Sequence, residues 1–274
     1  MRQIWILAVL LSGLGVASAW AIDDGAGAVI NQRITVYGGI QYYQAEGTFR
    51  STEAGRPEIE VDLDTLNLDD NEISPIFGMI FNFGKRWSLR LDYFGYHDDA
   101  DATAEYTFDF EDLVVPVGAR MESSLDMDII AANLAYNFIH TDRARFGFGV
   151  GFHVADIELG ISAKLKINDK EISLGDGSAD LLAPVPNLYA YGAYAFTDQF
   201  LMRYGGGWMS LNYGDFDGSL VFANAYLEYW PFPHAGFGAG YRYVDADIDY
   251  DSGSKTEKYD VTLPGPVVYV SFGF

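Results

Sequence analysis

The sequence predicts an all-β chain that forms a transmembrane, antiparallel, up-and-down β-barrel of about ten strands. Three observations support this prediction: apolar and polar residues alternate with period two, short polar turns join the alternating segments in pairs, and aromatic residues make up 16% of the chain. Such alternation places one face of each strand against lipid and the other inside the barrel. An eight-stranded barrel is the alternative if the first hairpin lies outside the wall.

The connections between the alternating segments fall into two classes. Short turns are expected near Lys85, Asp142, Asp198 and Pro233. Long acidic connections run from Glu53 to Glu72, from Asp98 to Arg120 and from Asp245 to Lys258. Bacterial barrels have short periplasmic turns and longer extracellular loops. Four short turns between two chain ends on the same side imply five hairpins, and hence ten strands.

The first residues have the features of a secretory signal peptide. Arg2 precedes an apolar run from Ile4 to Leu11, and small residues follow up to Ala19. A positive start, a short apolar core and an Ala-x-Ala site define such signals. We therefore expect cleavage of residues 1–19, with 1–21 as the alternative, and a barrel over residues 20–274. The apolar run is shorter than the roughly 20 residues that a spanning helix needs.

The composition excludes several functional classes. A formal net charge of −22 argues against a nucleic-acid partner, because phosphate binding relies on Lys and Arg. The absence of cysteine excludes thiol catalysis and Cys-ligated metals. The sequence also has no P-loop, no dinucleotide-binding fingerprint and no His-Glu-x-x-His motif. We therefore expect no cofactor and no metal centre.

The same alternation assigns a set of polar side chains to the barrel interior. A charged side chain that faced lipid near the midplane would cost about 2–4 kcal/mol, which favours the inward orientation. The expected interior polar network comprises Arg90, Asp92, Arg203, Glu228, Arg242, Asn133, Asn137 and Asn224. This network would either fill a narrow barrel as a plug of salt bridges or line a small selective pore. The small interior of a ten-stranded barrel favours the plug.

Aromatic residues cluster at two levels along the strands. Aromatic rings prefer the interface between lipid and water, so we expect these residues to form girdles around the barrel. The expected girdle residues are Trp87, Phe138, Phe146, Phe196, Phe200, Trp208, Trp230 and Phe237.

The last strand carries alternating Val268, Val270 and Phe272 and ends at Phe274. This pattern resembles the C-terminal signal by which the barrel-assembly machinery recognises outer-membrane proteins. The chain from about residue 33 to residue 274 resembles the small barrels of the OmpA transmembrane domain or of OmpW. The resemblance implies a place in the outer membrane of a Gram-negative envelope, with outer-membrane lipid, lipopolysaccharide and the assembly machinery as partners.

Three functional hypotheses follow. The first is an envelope barrel that is structural or forms a narrow, porin-like passage for small solutes. The second is a hydrolase with a site at the rim, similar to omptins or lipid A-modifying enzymes, built on His97 or His153. However, His97 and Asp98 point to opposite faces of a strand and no catalytic constellation is recognisable, so we expect no enzyme.

The third hypothesis is a surface interaction protein, or adhesin, that uses the acidic loops. Their carboxylates are candidates for bridging divalent cations to lipopolysaccharide phosphates, although the loops do not match the EF-hand pattern.

Overall fold

The computed structural model describes residues 28–53, 59–68, 72–105, 107–110, 113–167, 170–214, 216–251, 253 and 255–274. The predicted signal peptide lies outside the described residues. Helix α1 spans Ala28–Asn31, and the strands are β1 Ile34–Tyr43, β2 Glu46–Glu53, β3 Ile59–Asp62, β4 Glu72–Phe83, β5 Trp87–Thr103, β6 Phe108–Phe110, β7 Leu113–Val115, β8 Arg120–His140, β9 Ala144–Ile167, β10 Lys170–Ala195, β11 Phe200–Tyr213, β12 Phe216–Phe232, β13 Ala235–Asp251, β14 Lys255–Thr262 and β15 Gly265–Gly273. In the described part of the chain, no helix is long and apolar enough to cross a bilayer.

Ten strands close into an antiparallel ring. The order around the ring is β1, β4, β5, β8, β9, β10, β11, β12, β13 and β15, and β15 pairs back onto β1. At this closure Val36 lies opposite Phe272 and Ile40 lies opposite Val268. Ring neighbours follow one another along the chain, so the barrel is up-and-down. The predicted ten-stranded barrel is confirmed.

The four predicted short turns lie together at one end of the barrel, which we call the short-turn end. They connect β4 to β5, β8 to β9, β10 to β11 and β12 to β13. Both termini of the ring meet there, because the Ile34 amide donates to the Phe274 carbonyl at 3.0 Å. Gly84, in the first turn, has a φ of 62°, a conformation that glycine adopts without steric cost. We call the opposite end the long-loop end.

The outward face of the ring is apolar and exposed. Strand β15 shows the pattern most simply, since its residues alternate between buried and exposed along its whole length. Large apolar side chains form an exposed band around the wall, including Ile40, Phe77, Ile130, Leu134, Phe148, Val150, Leu227, Val268 and Val270. Soluble proteins rarely expose a contiguous apolar surface of this extent, whereas a lipid-facing wall does.

The long acidic connections carry an apolar core that sequence alternation did not predict. Strands β2 and β3, residues 63–68 and the β6–β7 hairpin pack across the long-loop end, and we call this assembly the outer cap. Phe49 lies with its ring centroid 5.7 Å from that of Phe110 and 5.1 Å from that of Tyr259. Leu66 and Leu68 are fully buried. The cap rests on strands that project beyond the wall: β9 has 24 residues and β10 has 26, whereas about 9–11 residues cross a bilayer.

Candidate functional site in the barrel interior

One group of charged side chains inside the barrel is centred on Asp92. Arg90 donates from Nε to Asp92 Oδ2 at 2.8 Å and from Nη2 to Oδ1 at 3.1 Å. The Tyr37 hydroxyl, on the first strand, donates to the same carboxylate and accepts from Arg90 Nη2 at 2.8 Å. Arg242 approaches Asp92 more loosely, with Nη2 at 3.6 Å from Oδ1. This group joins strands β1, β5 and β13 through one carboxylate.

The rings of two inward tyrosines, Tyr37 and Tyr269, lie against the barrel wall because a glycine is paired with each of them on the neighbouring strand. Tyr37 is paired with Gly78 on β4, and Tyr269 is paired with Gly238 on β13. A Cβ atom on either glycine would lie 2.2 Å from Cζ of the facing tyrosine ring. Real side chains do not tolerate such a contact, so these glycines make room for the rings that carry the interior hydroxyls.

A second group is centred on Glu228. Arg203 Nε donates to Glu228 Oε1 at 2.8 Å, and the Tyr269 hydroxyl donates to the same oxygen at 2.8 Å. The indole Nε1 of Trp230 donates to Oε2, also at 2.8 Å. All four side chains are buried, so the carboxylate has one charged partner and two neutral donors. A buried carboxylate requires such complete pairing.

Amide and hydroxyl groups connect the strands opposite these charges. Asn187 Nδ2 donates to Asn133 Oδ1 at 3.2 Å, and its Oδ1 lies 2.9 Å from Nδ1 of His153. Nearer the short-turn end, Asn137 donates from Nδ2 to the Ser88 hydroxyl at 3.2 Å. The structure therefore brings five of the eight predicted network residues into two ion groups, with Arg90, Asp92 and Arg242 in one and Arg203 and Glu228 in the other. Asn133 and Asn137 take part in separate hydrogen bonds between amide and hydroxyl groups.

Asn224 lies inside the wall but forms no hydrogen bond through its buried Oδ1 with the described chain. It belongs to the predicted set by position, directly opposite Arg242 on the neighbouring strand.

Arg145 was not in the predicted set, although it is buried inside the barrel and donates to Asn31 at 3.3 Å. Arg145 lies close to the turn near Asp142, where an exposed arginine is equally compatible with the sequence, so the alternation alone did not select it. Tyr37 and Tyr269 were not predicted as hydrogen-bond partners of the interior carboxylates, because tyrosine is also common in interfacial girdles. The alternation along β1 and β15 is the sequence signal that indicates their inward orientation.

The predicted girdle residues lie on the outer surface of the barrel, with one exception. Exposed rings that face outward are Trp87, Phe138, Phe146, Phe196, Phe200, Trp208 and Phe237. Trp230 does not join them: it is 2% exposed and lies inside, bonded to Glu228. The assignment of Trp230 to the girdle was wrong, because residues 228 and 230 are two apart on one strand and therefore share its inward face.

The four residues that resemble an assembly signal lie on the outward face of the last strand. Val268, Val270, Phe272 and Phe274 are all exposed, while Tyr269 and Ser271 between them are buried. The terminal residue stays paired with the first strand, since the Phe274 amide donates to the Ile34 carbonyl at 2.8 Å.

The histidines considered for catalysis are separated from the acids considered with them. His97 faces outward, with Nε2 at 3.6 Å from Asp128 Oδ1 and 3.9 Å from Asp126 Oδ1. Asp98 lies on the other face, within 3.1 Å of the Tyr96 hydroxyl. His153 is buried in the interior, while Asp156 is exposed. Within the described ranges, no group of three or more His, Asp and Glu side chains is arranged to hold a metal ion.

Acidic side chains concentrate on the hairpin of β13 and β14, beyond the wall. Lys258 Nζ donates to Asp249 Oδ2 at 2.6 Å. Asp247 lies across from Asp260. Partial burial, together with the charges of Asp249 and Asp260, raises the pKa of Asp247 above its ordinary value. Deprotonation of Asp247 is therefore less favourable in the folded hairpin than in the unfolded chain.

The interior leaves little free space. One cavity of about 20 Å³ lies between Arg90 and Arg203, and another of about 20 Å³ lies beside Arg242. Nearer the long-loop end, an apolar cavity of about 50 Å³ is lined by Phe94, Ile129 and Leu220. A water molecule needs at least about 10–15 Å³, so each of these spaces has room for one or a few particles of about that size and excludes polyatomic solutes.

No protein family profile matches the chain, and no curated protein matches its sequence. Among solved structures, the fold is similar to that of the outer membrane protease OmpT from Escherichia coli. That match covers 88% of this chain and 97% of OmpT, with a TM-score of 0.55 and 8% identity. The translocator domain of the autotransporter NalP from Neisseria meningitidis matches over 98% of this chain and 93% of its own, with a TM-score of 0.45 and 13% identity.

Neisserial surface protein A (NspA) matches over 88% of this chain and 97% of its own, with a TM-score of 0.33 and 13% identity. The match to OmpT carries the structural argument, and at its low identity it establishes architecture and no shared chemistry. Together with the closed ring and the exposed apolar band, it shows that this chain has the fold of the bacterial outer-membrane β-barrel proteins.

Proposed function

We propose that the chain is an outer-membrane barrel with a closed interior, which serves the envelope structurally and does not conduct solutes. In this proposal the short-turn end faces the periplasm and the long-loop end faces the outside, as is usual for bacterial barrels. The observation that carries the proposal is that the interior is filled at three successive levels.

At the short-turn end, helix α1 fills the mouth of the barrel. Val29 and Ile30 are buried in one apolar cluster with Ala193, Leu201 and Trp230. Gln32, which follows the helix, donates to the Pro233 carbonyl at 3.0 Å. The segment before β1 is thus fixed to the barrel wall by both apolar and polar contacts.

In the middle of the barrel, the groups around Asp92 and Glu228 cross the interior. Ten-stranded barrels enclose little more space than their own side chains fill. The guanidinium groups of Arg90, Arg203 and Arg242 and several tyrosine rings occupy that space, and Arg90 lies over the Tyr37 ring at 5.5 Å and over the Tyr226 ring at 5.9 Å. The cavities between the described residues of the interior are too small for a solute to pass.

At the long-loop end, the outer cap closes the barrel with apolar side chains. The Tyr96 hydroxyl donates to the Leu68 carbonyl at 2.8 Å, which ties the cap to strand β5. Tyr43 packs edge-on against Tyr96 at 5.9 Å between centroids. A polar solute would have to cross this apolar layer after losing its hydration, which is unfavourable.

The test is conductance of the purified full-length barrel in planar bilayers. We expect the wild type to be silent, and we expect a variant that opens only one level, such as Leu68→Asp in the cap, to be silent too. A variant that combines Leu68→Asp with Asp92→Ala and Glu228→Ala should conduct if it inserts. Insertion is checked by the protease-protected fragment of the barrel. Discrete, reproducible channel openings in the wild type would refute the closed interior.

A surface interaction is the second candidate, and one observation favours it. Much of β8, β9 and β10 lies beyond the band that lipid would cover, and this extension supports the outer cap rather than a passage. Shortening the β9–β10 hairpin would leave the wall intact. Loss of binding to a partner cell surface or to lipopolysaccharide in that variant, with unchanged heat-modifiable migration of the barrel, would identify this role.

We also propose the finer assignments that follow from the sequence. These are export through a signal peptide, assembly through the outward Val268, Val270, Phe272 and Phe274, and contact of the wall with outer-membrane lipid and lipopolysaccharide. The similarity to the OmpA or OmpW type of small barrel belongs to this proposal as well. The acidic β13–β14 hairpin supports an approach of divalent cations to the surface, where they would bridge carboxylates to lipid phosphates.

A further inference from the structure

The barrel interior carries more positive than negative charge, although the whole chain has a net charge of −22. Inside the described part of the wall, the charged side chains that are buried or nearly so are Arg90, Arg145, Arg203, Arg242, Asp92 and Glu228. With His153 counted as neutral, four cations face two carboxylates. An uncompensated charge is strongly unfavourable in a medium of low dielectric constant, so such an interior attracts a negative partner.

Part of this excess lies at Arg242. Asp92 is engaged by Arg90 at 2.8 Å and by Tyr37, and Arg242 reaches it only at 3.6 Å. One carboxylate therefore serves two guanidinium groups. Arg242 is only 5% exposed, and its Nη1 atom is buried and forms no hydrogen bond with the described residues. Within hydrogen-bonding geometry, neither bulk water nor the described chain satisfies this charged donor; the neutral hydroxyl of Tyr43, which also has no partner in that geometry, lies beside Arg242.

Arg242 and Arg90 line the same cavity of about 20 Å³, with Asp92, Asn133, His153 and Asn224 among the other lining residues. Asn224 is the cross-strand neighbour of Arg242, and its Oδ1 is also buried without a partner. The oxygen and nitrogen of an amide are assigned from their hydrogen-bond partners, so Asn224 can equally present its N–H groups to the cavity. Two guanidinium groups and an amide then converge on one small space.

We propose that this cavity binds a small monatomic anion of the size of chloride, coordinated by Arg242, Arg90 and the Asn224 amide. The volume admits one particle of about the size of a water molecule and excludes phosphate or sulfate. A water molecule would satisfy the free N–H of Arg242 but would leave the excess charge in place. A cation is excluded by the two guanidinium groups. The site goes beyond the closed-barrel proposal and does not depend on whether the interior conducts.

The experiment compares the unfolding of the full-length barrel in detergent with chloride, bromide or gluconate at equal ionic strength. Gluconate is too large for the cavity and serves as the reference anion. At a chloride concentration about tenfold above the dissociation constant, we expect the unfolding midpoint to rise by about 3–6 °C over gluconate. Bromide should act like chloride, and its anomalous scattering in crystals should locate it beside Arg242.

Three variants assign the effect to this site. Arg242→Gln should abolish the difference between chloride and gluconate. Arg120→Gln should preserve it, because Arg120 is exposed and pairs with Asp101 far from the cavity. Asn224→Asp should raise the midpoint in gluconate and also abolish the difference, because it places a carboxylate opposite Arg242. This last variant keeps the test decisive even where Arg242→Gln does not fold.

Equal midpoints of the wild type in chloride and gluconate would overturn the proposal. So would a chloride effect that persists in Asn224→Asp. Bilayer conductance is measured separately. A conducting wild type would reject the closed interior, whereas the anion site is tested only by these unfolding midpoints.

Discussion

Glu228 offers the sharpest test of the interior pairing. Its Oε1 accepts from Arg203 and Tyr269 and its Oε2 accepts from Trp230, each at 2.8 Å. The Glu228→Gln substitution keeps the shape and one oxygen acceptor but removes the charge. Arg203 would then be a buried guanidinium without a counter-charge, and Trp230 would face an amide in place of a carboxylate.

The expected loss follows from the burial of the pair. Removing one partner of a buried ion pair costs about 3–5 kcal/mol, because the other charge is left uncompensated. The exposed pair of Arg120 and Asp101, at 3.1 Å, provides the matched control. Asp101→Asn should cost less than about 1 kcal/mol, since exposed pairs are screened by water.

The measurement is equilibrium unfolding of the barrel refolded into lipid vesicles, followed by tryptophan fluorescence. The double variant Arg203→Met with Glu228→Gln should recover most of the lost stability, because replacing both members of a buried pair is often neutral. If Glu228→Gln cost no more than Asp101→Asn, the group around Glu228 would not contribute as its geometry requires, and the reasoning about the interior would fail.

Two further predictions concern a glycine of the wall and the acidic hairpin. Gly78→Ala should lower the free energy of unfolding by about 1–3 kcal/mol, because its Cβ would lie 2.2 Å from the Tyr37 ring; in a Tyr37→Ala background, the same substitution should cost nearly nothing, and an equal cost in both backgrounds would contradict the contact. The pKa of Asp247 is raised above 3.8, so this carboxyl favours the folded hairpin below that pH, and the contribution is lost as the pH rises through the folded pKa. Asp247→Asn should therefore increase amide protection in β13 and β14 at pH 7 and have no effect near about pH 3, as hydrogen exchange would show; unchanged protection at pH 7 would reject this account.

The barrel wall was predictable from the sequence because its physics is local. Alternation with period two fixes which side chains face lipid, and the short turns near Lys85, Asp142, Asp198 and Pro233 fix where each strand reverses. The strand number and the inward position of Arg90 or Glu228 depend on these two signals alone. Trp230 shows the limit: the preference of tryptophan for interfaces predicts a girdle position, whereas the alternation places residue 230 beside Glu228 inside the barrel.

The outer cap was not predictable in the same way. Leu66, Leu68 and Phe110 lie in segments that are rich in Asp and Glu, so composition indicates solvated loops. Their burial depends on contacts between segments far apart in sequence, such as Phe49 with Phe110, which no local pattern encodes. The identity of the interior partners has the same origin, because alternation selects the face of a residue but not the side chain that it meets across the barrel.

The closure of the ring has a consequence for assembly. Tyr37 on the first strand and Tyr269 on the last have ring centroids 5.3 Å apart, and each bonds a carboxylate carried by a different strand, Asp92 and Glu228. A half-built sheet would hold these acids and their arginines without the hydroxyls that complete them. The final pairing of β1 with β15 should therefore be cooperative with the ordering of the polar interior. The same hydrogen bonds should oppose lateral separation of these two strands.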